Sequence, residues 1–211
     1  MTAMHLCGRS RIGFVALLLL LPLALQAQPG AKKILDRTAE AFRRAGGVEA
    51  TFSLTGGQGA AQGTICLQGE KFRLESGGIT TWFDGTTQWS YVAANEEVNV
   101  SEPTEEELQT LNPYTLLYIY RQGYSWKTVP ARQAAAYAVE LKADAADKEL
   151  QRIVIEVRQS DYRPLYIVMQ TGSGDKTEVQ VTGYRTGLDF PDGFFRFDEE
   201  QYPSAEVIDL R

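Results

Sequence analysis

The feature that most constrains this fold is a change of hydrophobic period near residue 47. Before it, apolar residues recur at three- and four-residue steps. After it, Val48, Ala50, Phe52 and Leu54 alternate with polar residues. Alternation with a period of two places apolar side chains on one face of a strand, as in an antiparallel sheet with one wet face. Other segments of strand character lie at residues 64–68, 71–75, 81–83, 88–91, 98–100, 124–129, 137–142, 151–159, 165–170 and 177–184.

These segments predict about eleven strands in one domain, and open sheets of roughly ten or more strands tend to curl or to split into layers. We therefore expect an α+β, mainly β fold. Its centre is a strongly curved antiparallel sheet, an incomplete β-barrel, with short helices covering the concave side.

Three helices are predicted around this sheet. The periodic segment at residues 31–45 ends at Gly46-Gly47. Thr104 followed by Glu107 is a capping-box pattern, which indicates the start of a short helix. Asn112 and Pro113 suit the start of a third helix that Gly123 ends. The body of the third helix, residues 114–120, is apolar on nearly every side, so we expect it to be buried between other elements.

The first 27 residues have the pattern of a secretory signal. Arg9 and Arg11 precede an apolar run at residues 12–25, and the small residue Ala27 ends the segment. This run of 14 residues contains Pro22, and it is shorter than the roughly 20 residues that a membrane span needs. We expect cleavage after Ala27 and a single domain at residues 28–211.

Loss of that segment excludes several functions. The only histidine, His5, and one of the two cysteines, Cys7, lie within it. The remaining chain could form no Ser-His-Asp or Cys-His catalytic site, no disulfide within the chain and no Cys/His zinc site. The net charge of −6 becomes −8 without the two arginines, which disfavours nucleic acid as a partner. We expect no cofactor and no metal.

The strongest indication of function is the set of aromatic and aliphatic residues at alternating positions of the strands. An ordinary filled core explains alternating apolar residues, and by periodicity alone it is favoured. The alternative is a sheet that curls around these side chains and leaves a hydrophobic cavity for a lipid, because the predicted helices are few and short. The candidate lipid-binding residues of the cavity and its lid are Phe52, Leu54, Ile65, Leu67, Phe72, Leu74, Trp82, Trp89, Tyr91, Leu116, Leu117, Ile119 and Tyr120.

Two other motifs have less specific interpretations. The glycine-rich stretch at residues 56–63 lacks phosphate-loop spacing and precedes a strand, so a hairpin tip explains it. Glu105, Glu106 and Glu107 suit the first turn of a helix. A carboxylate enzyme such as a glycosidase stays open as a third hypothesis, although no pair of acids stands out. Cys66 is interpreted as a structural free thiol.

The order of several segments resembles the LolA-like outer-membrane lipoprotein carrier protein family, over essentially the whole chain after residue 27. The segments that carry the resemblance are Glu40-Ala41-Phe42, Ala50-Thr51-Phe52-Ser53, Gly69-Glu70-Lys71-Phe72-Arg73, Trp82 to Tyr91, Val98 to Pro103, Phe194-Phe195-Arg196-Phe197 and Glu206-Val207-Ile208-Asp209.

The resemblance implies an incomplete antiparallel barrel whose helices form a lid over a hydrophobic cavity. It also implies a function: carriage of triacylated lipoproteins across the periplasm, from an inner-membrane ABC-type exporter to the outer membrane. One departure concerns Gln68, which stands where carriers of the family place an arginine thought to hold the lid shut. Related barrels serve as stress sensors and as lipid binders in the envelope, so the fold leaves the cargo open.

We therefore expect a periplasmic, monomeric carrier without catalytic activity, whose partners are acylated lipoproteins and the exporter. The outer-membrane acceptor is left open. The second hypothesis is an envelope sensor or scaffolding module that uses the same fold to bind a protein or a lipid.

Overall fold

One curved sheet accounts for most of the described chain. A computed structural model describes residues 29–57, 59–104, 107–108 and 118–211. Within these residues twelve strands join in a sheet that does not close into a barrel. In chain order they are β1 (Gly47–Gly56), β2 (Gly59–Gln68), β3 (Lys71–Ser76), β4 (Ile79–Phe83), β5 (Gln88–Val92), β6 (Glu97–Ser101), β7 (Tyr124–Val129), β8 (Ala136–Ala143), β9 (Leu150–Arg158), β10 (Pro164–Thr171), β11 (Lys176–Leu188) and β12 (Glu206–Asp209). The predicted fold class is confirmed.

The sheet consists of two antiparallel meanders joined side by side. Its strand order is β12-β6-β5-β4-β3-β2-β1-β11-β10-β9-β8-β7. β1 pairs with β11 from Gly47 opposite Leu188 to Thr55 opposite Glu178, and this pairing joins the two meanders. β7 and β12 form the two edges, so the sheet stays open.

The twelfth strand, β12, was not predicted. It has only four residues, which are mostly exposed, and it pairs in parallel with β6. A segment this short shows no period that could separate a strand from a loop, which is why the sequence predicted about eleven strands.

The first predicted helix is confirmed as α1 (Ala31–Arg44). Its apolar stripe faces the sheet, and the chain leaves the helix through Gly46, whose φ of +69° lies in the left-handed region that glycine adopts without strain. The buried residues of α1 are Ala31, Ile34, Leu35, Thr38, Ala39 and Phe42. No helix in the described ranges has the length and apolar character that a bilayer span requires.

The capping box at the second predicted helix is also confirmed. The Glu107 carboxylate accepts hydrogen bonds from the backbone N–H and the hydroxyl of Thr104, at 2.8 and 2.9 Å. The Glu107 N–H donates to the Thr104 hydroxyl at 3.3 Å. The start of the third predicted helix, at Asn112, lies outside the described residues. Its last part forms a 3₁₀ turn, η1 (Ile119–Arg121).

The core consists of two clusters that lie along α1. The β1–β4 cluster contains Phe42, Val48, Ala50, Ile65, Leu67, Phe72 and Phe83. The β7–β9 cluster contains Ala31, Ile34, Leu35, Ile119, Tyr120, Tyr124, Val139, Leu141, Leu150, Ile153, Ile155 and Val157. The first half of α1 belongs to the β7–β9 cluster and its last turn to the other cluster, so one helix spans both parts of the core.

We predict that Phe72→Ala lowers the free energy of unfolding by about 3–5 kcal/mol, because it opens a cavity at a fully buried ring. Urea denaturation measures this loss. Ile79→Ala in the neighbouring strand is the control, since Ile79 is 43% exposed, and it should cost about 1 kcal/mol. Equal losses for the two variants would contradict the packing of the β1–β4 cluster.

Candidate functional site

The face of the sheet that carries α1, the concave face, is lined by apolar side chains. Residues that stand opposite each other in neighbouring strands point to the same face. One such row across β1 to β4 is Val48, Leu67, Phe72 and Phe83. Six of the sequence-predicted cavity residues therefore share the concave face: Phe52, Leu54, Ile65, Leu67, Phe72 and Leu74. Of these, Ile65, Leu67 and Phe72 are buried in the β1–β4 cluster, while the other three are half-buried.

Trp82, Trp89 and Tyr91 lie on the opposite, convex face. Trp82 stands opposite Arg73 and Trp89, whereas its neighbour Phe83 stands opposite Phe72. The expectation that all the alternating aromatic residues share one wall is therefore not met. The predicted wall combined two phases of the alternation, because β4 carries an aromatic residue on each face and the aromatic residues of β5 lie on the convex face.

A C-terminal segment covers these convex aromatic residues. Trp82 makes edge contacts with Phe197 and Tyr202 at ring-centroid distances of 5.6 and 5.7 Å. Tyr91 packs against Tyr202 at 4.7 Å. The convex face is apolar here because residues 190–202 pack on it, which explains the second apolar phase in the sequence.

The predicted lid residues fall into two groups. Ile119 and Tyr120 are buried in the β7–β9 cluster. Leu116 and Leu117 lie outside the described residues. The Tyr120 ring meets Trp126 edge-on at 6.2 Å, so η1 packs against both α1 and the edge strand β7.

A hydrogen bond joins η1 to α1. The Tyr120 hydroxyl donates to the Asp36 carboxylate at 2.7 Å, and Lys32 donates to the same carboxylate at 2.8 Å. The hydrogen bond from Lys32, followed by the one from Tyr120, holds the pKa of Asp36 below its ordinary value. Burial, followed by the contact with Asp36, raises the pKa of Tyr120. This contact keeps the segment after residue 117 against the concave side.

Gln68 cannot take part in that closure. It pairs with Lys71 at the end of β2 and alternates with Leu67, so it belongs to the convex face. A side chain at this position points away from α1 and η1. The Tyr120–Asp36 hydrogen bond joins a lid segment to the helix, beside the apolar packing of Ile119 and Tyr120 in the β7–β9 cluster.

Between the two core clusters lies a strip of half-buried apolar residues, of which the sequence-based prediction identified Phe52 and Leu54 and missed the members on β10 and β11. Leu54 stands opposite Val179 in β11, and Val179 stands opposite Ile167 in β10. The members of this concave strip are Phe52, Leu54, Leu165, Ile167, Met169, Val179 and Val181. The alternation of apolar residues within residues 165–169 and 177–181 indicated that one face of each strand is apolar, but the sequence-based prediction took from it only the two strands.

The Phe52 ring is held flat across the neighbouring strand. Gly63 stands opposite Phe52, and a Cβ atom added at Gly63 would lie 2.4 Å from the Phe52 Cζ atom. Glycine is required here because any side chain would displace the ring. The pair therefore shapes one end of the concave strip.

Tyr184 extends this concave surface toward the C-terminal end of α1. It stands opposite Ala50 and packs on the β1–β4 cluster. Burial raises the pKa of Tyr184 to about 12, with Asp161 as the next contributor. The Tyr184 hydroxyl forms no hydrogen bond with any described residue.

Charged groups elsewhere have structural partners. Glu156 is buried on the convex face, and its carboxylate accepts N–H donors from Arg132 and Gln133 at 2.9 and 3.0 Å. Cys66 is a buried free thiol, and its burial raises the pKa of the thiol. The described ranges contain no group of three or more His, Cys, Asp or Glu residues placed to hold a metal ion.

The sequence profile of the outer membrane lipoprotein carrier protein LolA family matches residues 21–173. The chain belongs to this family. No curated protein matches the chain. The matched region contains α1, the strands from β1 to β10 and the described part of the lid.

A solved structure with a TM-score above 0.5 shares the fold. An uncharacterised conserved protein from Thermus thermophilus superposes with a TM-score of 0.58 at 15% identity, over 85% of this chain and 98% of that chain. A LolA superfamily protein from Nitrosomonas europaea gives a TM-score of 0.43 at 13% identity, over 81% of this chain and 99% of that chain. The Pseudomonas aeruginosa MucA/MucB complex gives a TM-score of 0.45 at 16% identity, over 81% of this chain and 62% of that chain.

We predict that Tyr120→Phe lowers the free energy of unfolding by about 1–2 kcal/mol at neutral pH, because the hydroxyl bonds a charged carboxylate. The folded pKa of Asp36 is depressed. Its stabilising effect is therefore present above the unfolded pKa and is lost as the pH falls through the folded value. Urea midpoints at about pH 6 and about pH 3 should show a smaller effect of the substitution in acid.

Tyr124→Phe is the matched control for this pH dependence. The Tyr124 hydroxyl donates to the backbone carbonyl of Leu150 at 2.8 Å, in the same cluster, and this acceptor does not titrate. The loss in Tyr124→Phe should be the same at both pH values. If Tyr120→Phe behaves in the same way, the contact with Asp36 does not stabilise η1.

Proposed function

We propose that this protein binds the acyl chains of lipoproteins on its concave face and carries the lipoproteins through the periplasm to the outer membrane. The observation that carries the proposal is the half-buried apolar strip between the two core clusters, in a chain of the LolA family. Family membership supports a binding or carrier role in the cell envelope. The donor would be an inner-membrane ABC-type exporter, as the family resemblance implies.

The physical need for such a surface is large. Burial of a methylene group is worth about 0.8 kcal/mol, so a 16-carbon chain left in water costs roughly 12 kcal/mol. The concave strip offers valine, leucine, isoleucine, methionine and phenylalanine side chains, whose contacts have no directional requirement. Such a wall accepts cargoes that share an acyl anchor and differ in sequence.

Release of the cargo requires a lid that can open at low cost. The contact between Tyr120 and Asp36 is a single hydrogen bond to a partly exposed carboxylate, so its loss costs little compared with the burial of an acyl chain. Movement of segment 118–121 also uncovers Ile119 and Tyr120, so we expect it to move as cargo enters, when an acyl chain replaces their buried contacts. In this chain the Tyr120–Asp36 contact would hold the lid, since the side chain at position 68 points away from it.

The test is binding of a synthetic N-palmitoyl-S-diacylglyceryl-cysteinyl peptide by the purified protein. Val179→Asp places a carboxylate in the middle of the concave strip, and we expect binding at least about tenfold weaker because the charge must stay hydrated. Thr182→Asp is the matched control. It adds the same charge to the same strand on the exposed convex face, so binding should be unchanged.

Circular dichroism and urea midpoints establish that both variants fold. If Val179→Asp does not fold, the smaller truncation Val179→Ala serves in its place. Wild-type protein that fails to bind the lipopeptide, or a folded Val179→Asp variant that binds like wild type, would contradict the carrier function. Retention of an envelope protein instead of lipid would favour the sensor or scaffolding role.

A further inference from the structure

A cavity of about 390 Å³ lies where the end of α1 faces the turn between β9 and β10. This volume is within the range of roughly 300–1,000 Å³ that small-molecule sites occupy. Its lining includes Phe42, Arg44, Arg158, Asp161, Tyr162, Arg163 and Tyr184. We call it the arginine-rimmed cavity.

The inner wall of this cavity is continuous with the apolar interior. Phe42 and Tyr184 belong to or pack on the β1–β4 cluster, and Tyr162 packs on the β7–β9 cluster. The cavity therefore sits at the gap between the two clusters, next to the concave strip. An acyl chain on that strip could extend to this opening.

The rim has the opposite charge to the protein as a whole. Three arginines and one aspartate line the cavity, which gives +2 from these residues, while the chain carries −6. Arg44 pairs with Glu40 along the helix, and Arg158 pairs with Asp161 within the turn. Arg163 forms no ion pair with any described residue. Exposed pairs of this kind are weak, so the arginines remain able to bind an incoming anion.

The turn that carries Arg163 is held in an unusual conformation. Tyr162 has a φ of +60°, which is uncommon for a residue with a side chain. Its ring stacks on Tyr137 at 5.9 Å, and the Arg37 guanidinium lies 5.5 Å above it. These contacts stabilise the turn and keep Arg158 and Arg163 at the rim.

From this arrangement we infer that the arginine-rimmed cavity binds the anionic head of an acyl lipid, a phosphate or a carboxylate, while the acyl chain lies on the concave strip. Guanidinium groups bind both anions through charge-assisted hydrogen bonds. The Tyr184 hydroxyl, which bonds no described residue, supplies a further donor. The inference rests on the proposed acyl-binding function and adds a preference among acyl ligands.

The test compares ligands of similar chain length and different head charge. Hexadecyl phosphate and palmitate carry the anion, and monopalmitoylglycerol does not. Each displaces a neutral fluorescent probe from the purified protein. We expect wild-type protein to prefer the anionic ligands by about tenfold, a preference that weakens as salt is raised. Inorganic phosphate is added alone to separate recognition of the free anion from recognition of the lipid head.

Substitutions test which residues produce the preference for anionic ligands. Arg163→Gln should reduce the preference for anionic ligands without weakening monopalmitoylglycerol binding, and Arg163→Lys should restore part of the preference. Tyr184→Phe should also reduce the preference. Arg185→Gln is the matched control, because Arg185 follows Tyr184 in β11 but faces the convex side, where it pairs with Glu49. It should leave the preference unchanged.

The outcomes separate the two claims. Binding of all acyl ligands without a charge preference, or a preference that survives in Arg163→Gln, overturns the inference and leaves the carrier function intact. No binding of any acyl ligand overturns both. Displacement of hexadecyl phosphate by inorganic phosphate supports the site as a phosphate site in its own right. A lack of displacement, with the preference intact, supports recognition of the complete lipid.

Discussion

The antiparallel pairing of β1 with β11 is the constraint on which the remaining structure depends. Each meander alone would leave an apolar face uncovered. The pairing places the apolar rows that form the two core clusters on one side, since opposite residues such as Leu54 and Val179 point to the same face. A curved sheet of this width has one concave side, and that side becomes both the core and the candidate binding surface.

Among the described residues, a single α-helix covers part of the concave face. α1 spans from the β7–β9 cluster to the β1–β4 cluster, and its short length leaves the strip on β10 and β11 half-buried. Protein interiors are normally filled to crystal-like density, so a row of half-buried apolar residues beside two packed clusters is the part of this core with room for something else. The arginine-rimmed cavity lies at one end of the same surface.

Much of the fold was predictable because its determinants are local. The alternation, the apolar stripe of α1 and the capping box of Thr104 and Glu107 depend on residues a few positions apart. The site was predictable only in part. Phe52 and Leu54 were identified, but Ile167 and Val179 were not, because neither strand shows from its own sequence which other strand it will lie beside.

Period and composition thus determined the strands, the helix and the presence of more apolar surface than one face can hide. Which face each side chain joined was decided by tertiary structure. Trp82 and Phe83 are adjacent in sequence and equally aromatic, yet one packs beneath Tyr202 and the other in the core with Phe72. A strand presents alternate residues to both sides, and only the segments that fold against each side decide whether it becomes core, binding surface or cover.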